Sequence, residues 1–246
     1  MSIHCTIADG IAEVVMDRPP VNALHVQGWL DLAQTFHRIS ADPAAHVAVL
    51  RAEGRGFNAG VDIKEMQNTP GFTALVGANR GCFEAFSAVY ECAVPVIAAV
   101  HGYCLGGGIG LVGNADIILA SHCATFGLPE VDRGALGAAT HLARLVPQQK
   151  MRAMVYTCKP ATAAELLHYG SIHEVVDKAE LRDAAMRLAA TIAAKPPATI
   201  RAAKRCLNGI DPVDVHRSYR YEQGFTFELN LMGEGDRARD EFVGEK

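Results

Sequence analysis

Apolar residues recur along this chain with two periods. Short apolar runs alternate with longer stretches whose apolar positions fall three and four apart. Residues 4–8 and 11–16 flank Asp9-Gly10, a dipeptide suited to a two-residue hairpin loop, so a pair of antiparallel strands is predicted there. Val26, Trp29, Leu30, Ala33, Phe36 and Ile39 predict a helix over 26–40, closed by Asp42-Pro43. A short strand over 47–51 leads into a glycine-rich loop over 53–60, after which Asp62 is placed to cap a short helical turn. A longer helix is predicted over 71–90, and a buried strand over 96–100. A further strand falls at 116–120, extended chain at 125–129 and a flexible piece at 134–137. Helices are predicted over 138–146, 147–157 and 161–169, and a last strand over 173–176. From 179 onward the pattern is helical throughout: 179–194, 197–208, 212–232 and 235–243. Strands alternate with helices up to about residue 176 and helices alone follow, which predicts an α/β core with a helical C-terminal part. Lys195-Pro196-Pro197 marks the boundary, giving a core of residues 1–195 and a helical region of 196–246.

Composition narrows the function classes. A chain of 246 residues, half of them hydrophobic, suits one sizeable domain with at most a small appendage. A net charge of −4 argues against a nucleic-acid surface. The seven cysteines sit singly with no CxxC pair, which argues against a zinc site and for free thiols in the cytoplasm. With no basic-then-apolar N-terminal signal and no 18-residue apolar run, neither export nor a membrane span is expected.

The candidate chemistry centres on residues 101–114, HGYCLGGGIGLVGN. A strand, a glycine turn and a helix start leave backbone N–H groups aimed at one electron-rich atom, either a phosphate oxygen or a developing oxyanion. The loop at 53–60 also follows a predicted strand, and parallel strands would bring both loops to one sheet edge. Gly60-Val61-Asp62 and Gly106-Gly107-Gly108 then face each other across a crevice as an oxyanion hole. The plainer alternative is that these glycines only permit tight turns. Gly108 to Gly113 also matches GxGxxG, the dinucleotide pattern. Against that stands the short segment before the next strand, and Glu130 follows a turn rather than ending a second strand.

Four motifs occur in order: DRPPVNAL at 17–24, GRGFNAGVDIKEM at 54–66, PVIAAVHGYCLGGGIGL at 95–111 and TFGLPEVDRG at 125–134. Together they resemble the crotonase, or enoyl-CoA hydratase/isomerase, superfamily over nearly the whole chain. The resemblance implies a spiral of ββα units and a helical C-terminal region that drives assembly into a homotrimer or a dimer of trimers. It implies an acyl-CoA substrate, with coenzyme A arriving as part of that substrate and no separate cofactor or metal. Carried over by position, the N–H groups of Val61 and Gly107 are the oxyanion donors, and Glu130 is the acid–base carboxylate. Gly60, Asp62 and Phe242 are the accompanying positions that meet the CoA thioester, Phe242 matching an aromatic of the family's C-terminal stretch. A lysine of that stretch falls one residue off, at Lys246.

The hydratases of the family use two glutamates, and the position of the first is here Gly110. The expectation is that Gly110 leaves an apolar space that suits a bulky acyl group. Asp132, Arg133 and His141 are either pocket residues or structural ones, and His101 is expected to hydrogen-bond backbone. Asp62 is expected to cap a helix, and Lys64 either meets a CoA phosphate or is simply exposed.

NAGVDIKEMQ (58–67), ANRGCF (78–83), VYECAVPVIAAV (89–100), RGALGAATHLARLVPQ (133–148) and EQGFTFELNL (222–231) carry a closer resemblance. They are similar to an actinobacterial, steroid-degrading branch that opens the last five-membered ring of a bicyclic indene-carboxyl-CoA. The branch implies C–C bond hydrolysis with the oxyanion hole as electron sink. A hydratase or isomerase, a nicotinamide oxidoreductase and a non-catalytic CoA-binding protein stay open as alternatives.

Overall fold

The computed structural model describes residues 2–244, and the side chains of residues 2–241. Its strands are β1 (Ile3–Ala8), β2 (Ile11–Met16), β3 (Val47–Ala52), β4 (Val96–Val100), β5 (Tyr103–Leu105), β6 (Ile117–Ser121), β7 (Thr125–Gly127), β8 (Ala161–Thr162) and β9 (Glu174–Val176). Its helices are α1 (Val26–Ala41), α2 (Ile63–Asn68), α3 (Thr73–Tyr90), α4 (Gly107–Val112), α5 (Ala139–Leu142), α6 (Gln148–Thr157), α7 (Ala163–His168), α8 (Leu181–Ala193), α9 (Pro197–Gly209), α10 (Val215–Leu231) and α11 (Glu234–Gly244).

A six-stranded sheet runs β1-β2-β3-β4-β6-β9, and a three-stranded sheet runs β5-β7-β8. In the large sheet only β1 and β2 are antiparallel, joined at Asp9-Gly10. The other neighbours are parallel. The chain spirals: each turn lays one strand in the large sheet, a short strand in the small one, and then helix, as in β4-β5-α4.

Parallel strands buried on both faces read as continuous apolar runs, and β4 and the first four residues of β3 do. Alternation still sorts the two faces. Val47 and Val49 pack with Ile97, Ala99 and Leu119 against Leu181, Ala184, Ala185 and Ala189 of α8. Ala48, Leu50 and Ala98 point the other way, into the larger core with Trp29, Leu32, Phe36 and Phe86. Each of those large side chains adds roughly 1.5–3 kcal/mol by leaving water.

The sequence pattern missed β5 and β8, which hold only three and two residues and carry no period of their own. It also drew one helix over 138–146 where α5 has four residues. Ala138 sits at φ +60° and starts that helix late, and Leu142–Leu145 continue as tight turns. Residues 161–162 pair with β7, and Thr162 caps α7 in a reciprocal box with Glu165.

The C-terminal helices are anchored by buried charge. Lys204 of α9 is 3% exposed and holds both carboxylate oxygens of Asp116 at 2.8 Å. Asp116 in turn accepts the Val96 N–H at 2.7 Å, so this ion pair ties α9 to the start of β4. Removing Asp116 would leave the buried Lys204 ammonium without its counter-charge.

Candidate active site

Because β3 and β4 are parallel neighbours, the chain leaves both at one sheet edge. The two loops there are stitched together by backbone. Phe57 N–H donates to the Tyr103 carbonyl at 2.9 Å, and Leu105 N–H to the Asn58 carbonyl at 2.9 Å. Buried Asn58 locks the next bend: its Oδ1 accepts the Gly60 N–H at 2.8 Å and its Nδ2 donates to the Asn22 carbonyl at 2.6 Å. Leu24 then pairs with the loop from the far side. Leu24 N–H donates to Gly60 O and Asp62 N–H to Leu24 O, both at 2.9 Å. Those two bonds flank Val61, so its own N–H points away from Leu24. It donates to no group among the described residues.

Gly107 opens α4, and a first-turn amide has no acceptor within its helix. It also donates to no group among the described residues. The loops touch here: a Cβ on Gly60 would stand 3.4 Å from the Gly107 nitrogen. Two open amides therefore lie on adjoining backbone.

The three central glycines each make room for something different. A Cβ on Gly107 would come within 2.6 Å of Trp29 Cη2, and one on Gly108 within 3.0 Å of the Asn58 carbonyl. Gly106 adopts φ +55°, and a Cβ there would lie 2.5 Å from Glu130 Oε1. The Glu130 carboxyl thus rests directly on the turn that presents the Gly107 amide. The register of β7 on β5 puts it there, with Gly106 N–H donating to the Gly127 carbonyl at 3.1 Å.

Glu130 Oε2 is shut off from solvent and has no hydrogen-bond partner. Burial pushes this carboxyl up to about 8, against a pull from its own backbone, and the nearby Glu222 carboxyl adds to the rise. Glu222 is buried itself, accepting N–H groups from Ala139 at 2.7 Å and Thr140 at 3.1 Å. On the other side stands the Cys82 thiol, held in its protonated form by burial and by Glu130.

Glu130 and Cys82 border a cavity of about 740 Å³. One wall is a single face of α3: Leu75, Ala78, Asn79, Cys82 and Phe86. Another is α10, through Tyr219, Thr226 and Asn230. Thr226 clasps the covering loop, taking the Leu136 N–H at 3.0 Å and donating its hydroxyl to the Leu136 carbonyl. Arg18, Arg55 and Lys64 bring positive charge to the side near Val61.

The expectation for Gly110 is corrected. The space it leaves is not open: a Cβ there would lie 2.2 Å from the Phe86 ring, so that ring already fills it. The glycine admits an aromatic side chain of α3, and Gly110 does not line the cavity. The GxGxxG glycines have the same explanation, since Gly108 backs onto Asn58, Gly110 onto Phe86 and Gly113 onto the His141 carbonyl.

His141 proves to be a buried aromatic-cluster residue, 5.1 Å from Phe86 and 4.9 Å from Tyr219 between ring centroids. Burial holds it neutral, down to about 3. His101 Nε2 donates to the Gly54 carbonyl at 3.0 Å, the backbone bond expected of it. Asp62 caps α2 through the Lys64 N–H at 3.1 Å and pairs with Arg18 at 2.8 Å. Gly60, Asp62, Lys64 and Arg133 line the cavity; Asp132 does not. The Phe242 side chain and Lys246 lie outside the described residues.

Sequence reasoning did not single out Cys82, Phe86, Tyr219, Glu222 and Thr226 as site residues. Their signal was the helical spacing of 75, 78, 79, 82 and 86, and of 219, 222, 226 and 230, which a core face shows equally well.

Open amides on two glycine loops beside a carboxyl with one oxygen shut from solvent, carried on a ββα spiral, are the arrangement that the crotonase motifs lead one to expect. The chain belongs to the enoyl-CoA hydratase/isomerase family, whose model matches residues 6–225. It is 63% identical over 238 residues to the (7aS)-7a-methyl-1,5-dioxo-2,3,5,6,7,7a-hexahydro-1H-indene-carboxyl-CoA hydrolase of Rhodococcus jostii, covering 97% of this chain and 92% of that protein. It is equally 63% identical, over 234 residues, to the hydrolase of the same name from Mycobacterium tuberculosis, with 95% of each chain covered. An enoyl-CoA hydratase/isomerase structure from Mycobacterium paratuberculosis superposes with a TM-score of 0.90 over 98% of both chains at 22% identity, which speaks to the fold.

Proposed function

We propose that this protein is a ring-opening C–C hydrolase acting on a bicyclic indene-dione carboxyl-CoA in steroid breakdown. The observation that carries the reading is the placement of Glu130. Its buried, unpartnered carboxyl lies against the turn that offers the Gly107 amide, with the open Val61 amide alongside. The two relatives named as hydrolases of such a thioester support the choice of substrate.

The chemistry follows from these groups. Ionised Glu130 takes a proton from water as that water adds to the ring ketone. The bond from the former ketone carbon to the quaternary carbon breaks, and its electron pair runs through the conjugated alkene onto the thioester oxygen. The Val61 and Gly107 amides hold that oxyanion without reorganising. Proton return to carbon completes the addition of one water, leaving a new carboxylate on a propanoyl arm and an intact thioester. Coenzyme A enters with the substrate, its phosphates near Arg18, Arg55 and Lys64, and the reaction uses no separate cofactor. Phe86 fills the site that a second glutamate would need for hydrating an alkene.

The working unit in this reading is a trimer or a dimer of trimers in the cytoplasm. Supporting assembly, Tyr156, Tyr221 and Phe225 line an apolar groove of about 980 Å³ between α6 and α10. Supporting the location, the cysteines are unpaired, and no helix among the described residues is long and apolar enough to cross a membrane.

The test is incubation with the bicyclic thioester in labelled water, read by mass spectrometry. The product is expected to gain one water at the new carboxylate, with negligible hydration of crotonyl-CoA. The rate constant kcat/KM should climb about tenfold per pH unit up to about 8 and then level, as the Glu130 base ionises. Rapid crotonyl-CoA hydration with no ring opening would replace this reading by a simple hydratase.

A further inference from the structure

Two cavity cations, Arg133 and Arg239, belong to elements away from the chain beside Val61. Arg239 belongs to α11, which lies against the Val131–Arg133 turn and is tied to α2 where Gln67 Nε2 donates to the Arg239 carbonyl at 3.2 Å. The Arg239 side chain is only 12% exposed and lines the cavity. Its Nη2 donates to Asn230 Oδ1 at 2.9 Å and also to Asp236. Asn230 is itself buried and fixed, its Nδ2 donating to the Thr226 carbonyl at 2.8 Å. A guanidinium has five N–H groups, so two are spent holding it in place. The Nε and Nη1 groups donate to nothing among the described residues. With both N–H groups of Nη2 taken, Nε and Nη1 are left as single charge-assisted donors for an oxygen, best of all a carboxylate oxygen.

The surroundings say which end of a ligand it meets. Arg239 is fastened to the α10 face that runs Tyr219, Thr226, Asn230, and Tyr219 packs on Phe86 at 5.3 Å while Thr226 clasps the loop over Glu130. That is the apolar, acyl-facing wall. The cations Arg18, Arg55 and Lys64 sit instead on the loops beside Val61.

We propose that Arg239, positioned by Asn230, is an oxygen-recognising subsite for the distal end of the acyl group, selecting acyl-CoA substrates that carry a carbonyl or carboxylate oxygen away from the thioester. This rests on the acyl-CoA reading above and extends it: the ketone oxygens enter near these donors, and a carboxylate released by ring opening finds a counter-charge there.

The experiment uses binding rather than turnover, so it stands apart from the test of the reaction. Glutaryl-, adipoyl- and pimeloyl-CoA are titrated by calorimetry into the wild-type protein, each against the alkanoyl-CoA of matched chain length, with free CoA as reference. At one or more chain lengths the carboxylate-ended thioester should bind about tenfold or more tighter, a charge-assisted hydrogen bond being strong in a partly buried site. Arg239→Gln keeps a donor for Asn230 and removes the charge. It should abolish that preference while leaving alkanoyl-CoA and free CoA affinity within about twofold. Arg239→Lys, which keeps the charge without the placed Nε and Nη1 donors, should retain part of the preference and serves as the second variant. No preference in the wild type at any chain length overturns the proposal whatever the variants do. So does a preference that survives Arg239→Gln. Loss of free-CoA affinity in that variant would make Arg239 a CoA contact instead. If ring opening of the bicyclic substrate fails while the carboxylate preference holds, the reaction assignment falls and the subsite stands.

Discussion

The two ends of the cavity are made of different material. Around Val61 and Gly107 the surface is backbone, shaped by glycines and by main-chain hydrogen bonds between loops. Along α3, α10 and α11 it is side chain, from Leu75 and Cys82 through Tyr219 to Arg239. The difference teaches where each kind of property resides. A backbone amide donates whatever side chain its residue carries, so the oxyanion end tolerates substitution provided the amide stays and the glycines stay small. The acyl end is rewritten by any change of side chain, and it is where relatives with the same fold would part company. Glu130 lies on the border, resting on Gly106 at one side and facing Cys82 and Glu222 on the other.

The border residue gives the largest expected effect. Glu130→Gln should lower ring-opening turnover by about 10²–10⁴, since it removes the base. Thioester affinity should stay within about twofold, because a base acts in the transition state more than in binding. Single-turnover kinetics with a parallel binding titration measures both, and an unchanged rate would remove Glu130 from the chemistry.

At the backbone end, Val61→Pro deletes one donor amide and should cost roughly 10²–10³ in turnover, whereas Val61→Ala keeps the amide and should be mild. Equal losses in the two folded variants would show that the valine side chain, not its N–H, matters.

The same carboxyl should leave a mark on stability. Its value in the folded protein is about 8, against an ordinary 4.5, so the folded state favours the protonated form. Stability is therefore fullest below pH 4.5 and is lost as pH rises to about 8, at up to roughly 1.4 kcal/mol per pH unit. Glu130→Gln escapes this term and should unfold at higher denaturant than wild type at pH 8, with the gap closing towards pH 5. A gap that does not vary with pH would mean that Glu130 is solvated as an ordinary glutamate.

Between the two ends, Gly110→Ala should destabilise by about 1–3 kcal/mol by driving the Phe86 ring out of its seat. An unchanged denaturation midpoint would mean that the ring does not need that space. The smallest effect is expected from Thr226→Val, which breaks the clasp on Leu136 and should cost about 1–2 kcal/mol. It should raise KM for the bulky thioester more than for a short alkanoyl-CoA; equal changes in both would place the clasp outside the acyl end.

Much of this was written in the local order of residues. Asp9-Gly10 gives the hairpin because it supplies the two positive-φ residues a tight loop needs. The runs at 47–50 and 96–100 are apolar throughout because parallel strands bury both faces. Asp62 was legible as a cap, and the order of the four motifs carried the family and the candidate positions Val61, Gly107 and Glu130. What the sequence could not display is contact between distant segments. That Glu130 lies on Gly106, that Phe86 occupies the space of Gly110, and that Thr226 and Arg239 line the same cavity are facts of packing across 24 residues or more. Periodicity reports which face of a helix is buried but not what it is buried against. The three-residue β5 and two-residue β8 are strands only because partners lie beside them. Local chemistry determined most of the elements and named the candidate positions; only the tertiary structure decided which of them meet, because burial and neighbouring charge, and not residue identity, set what a buried carboxyl can do.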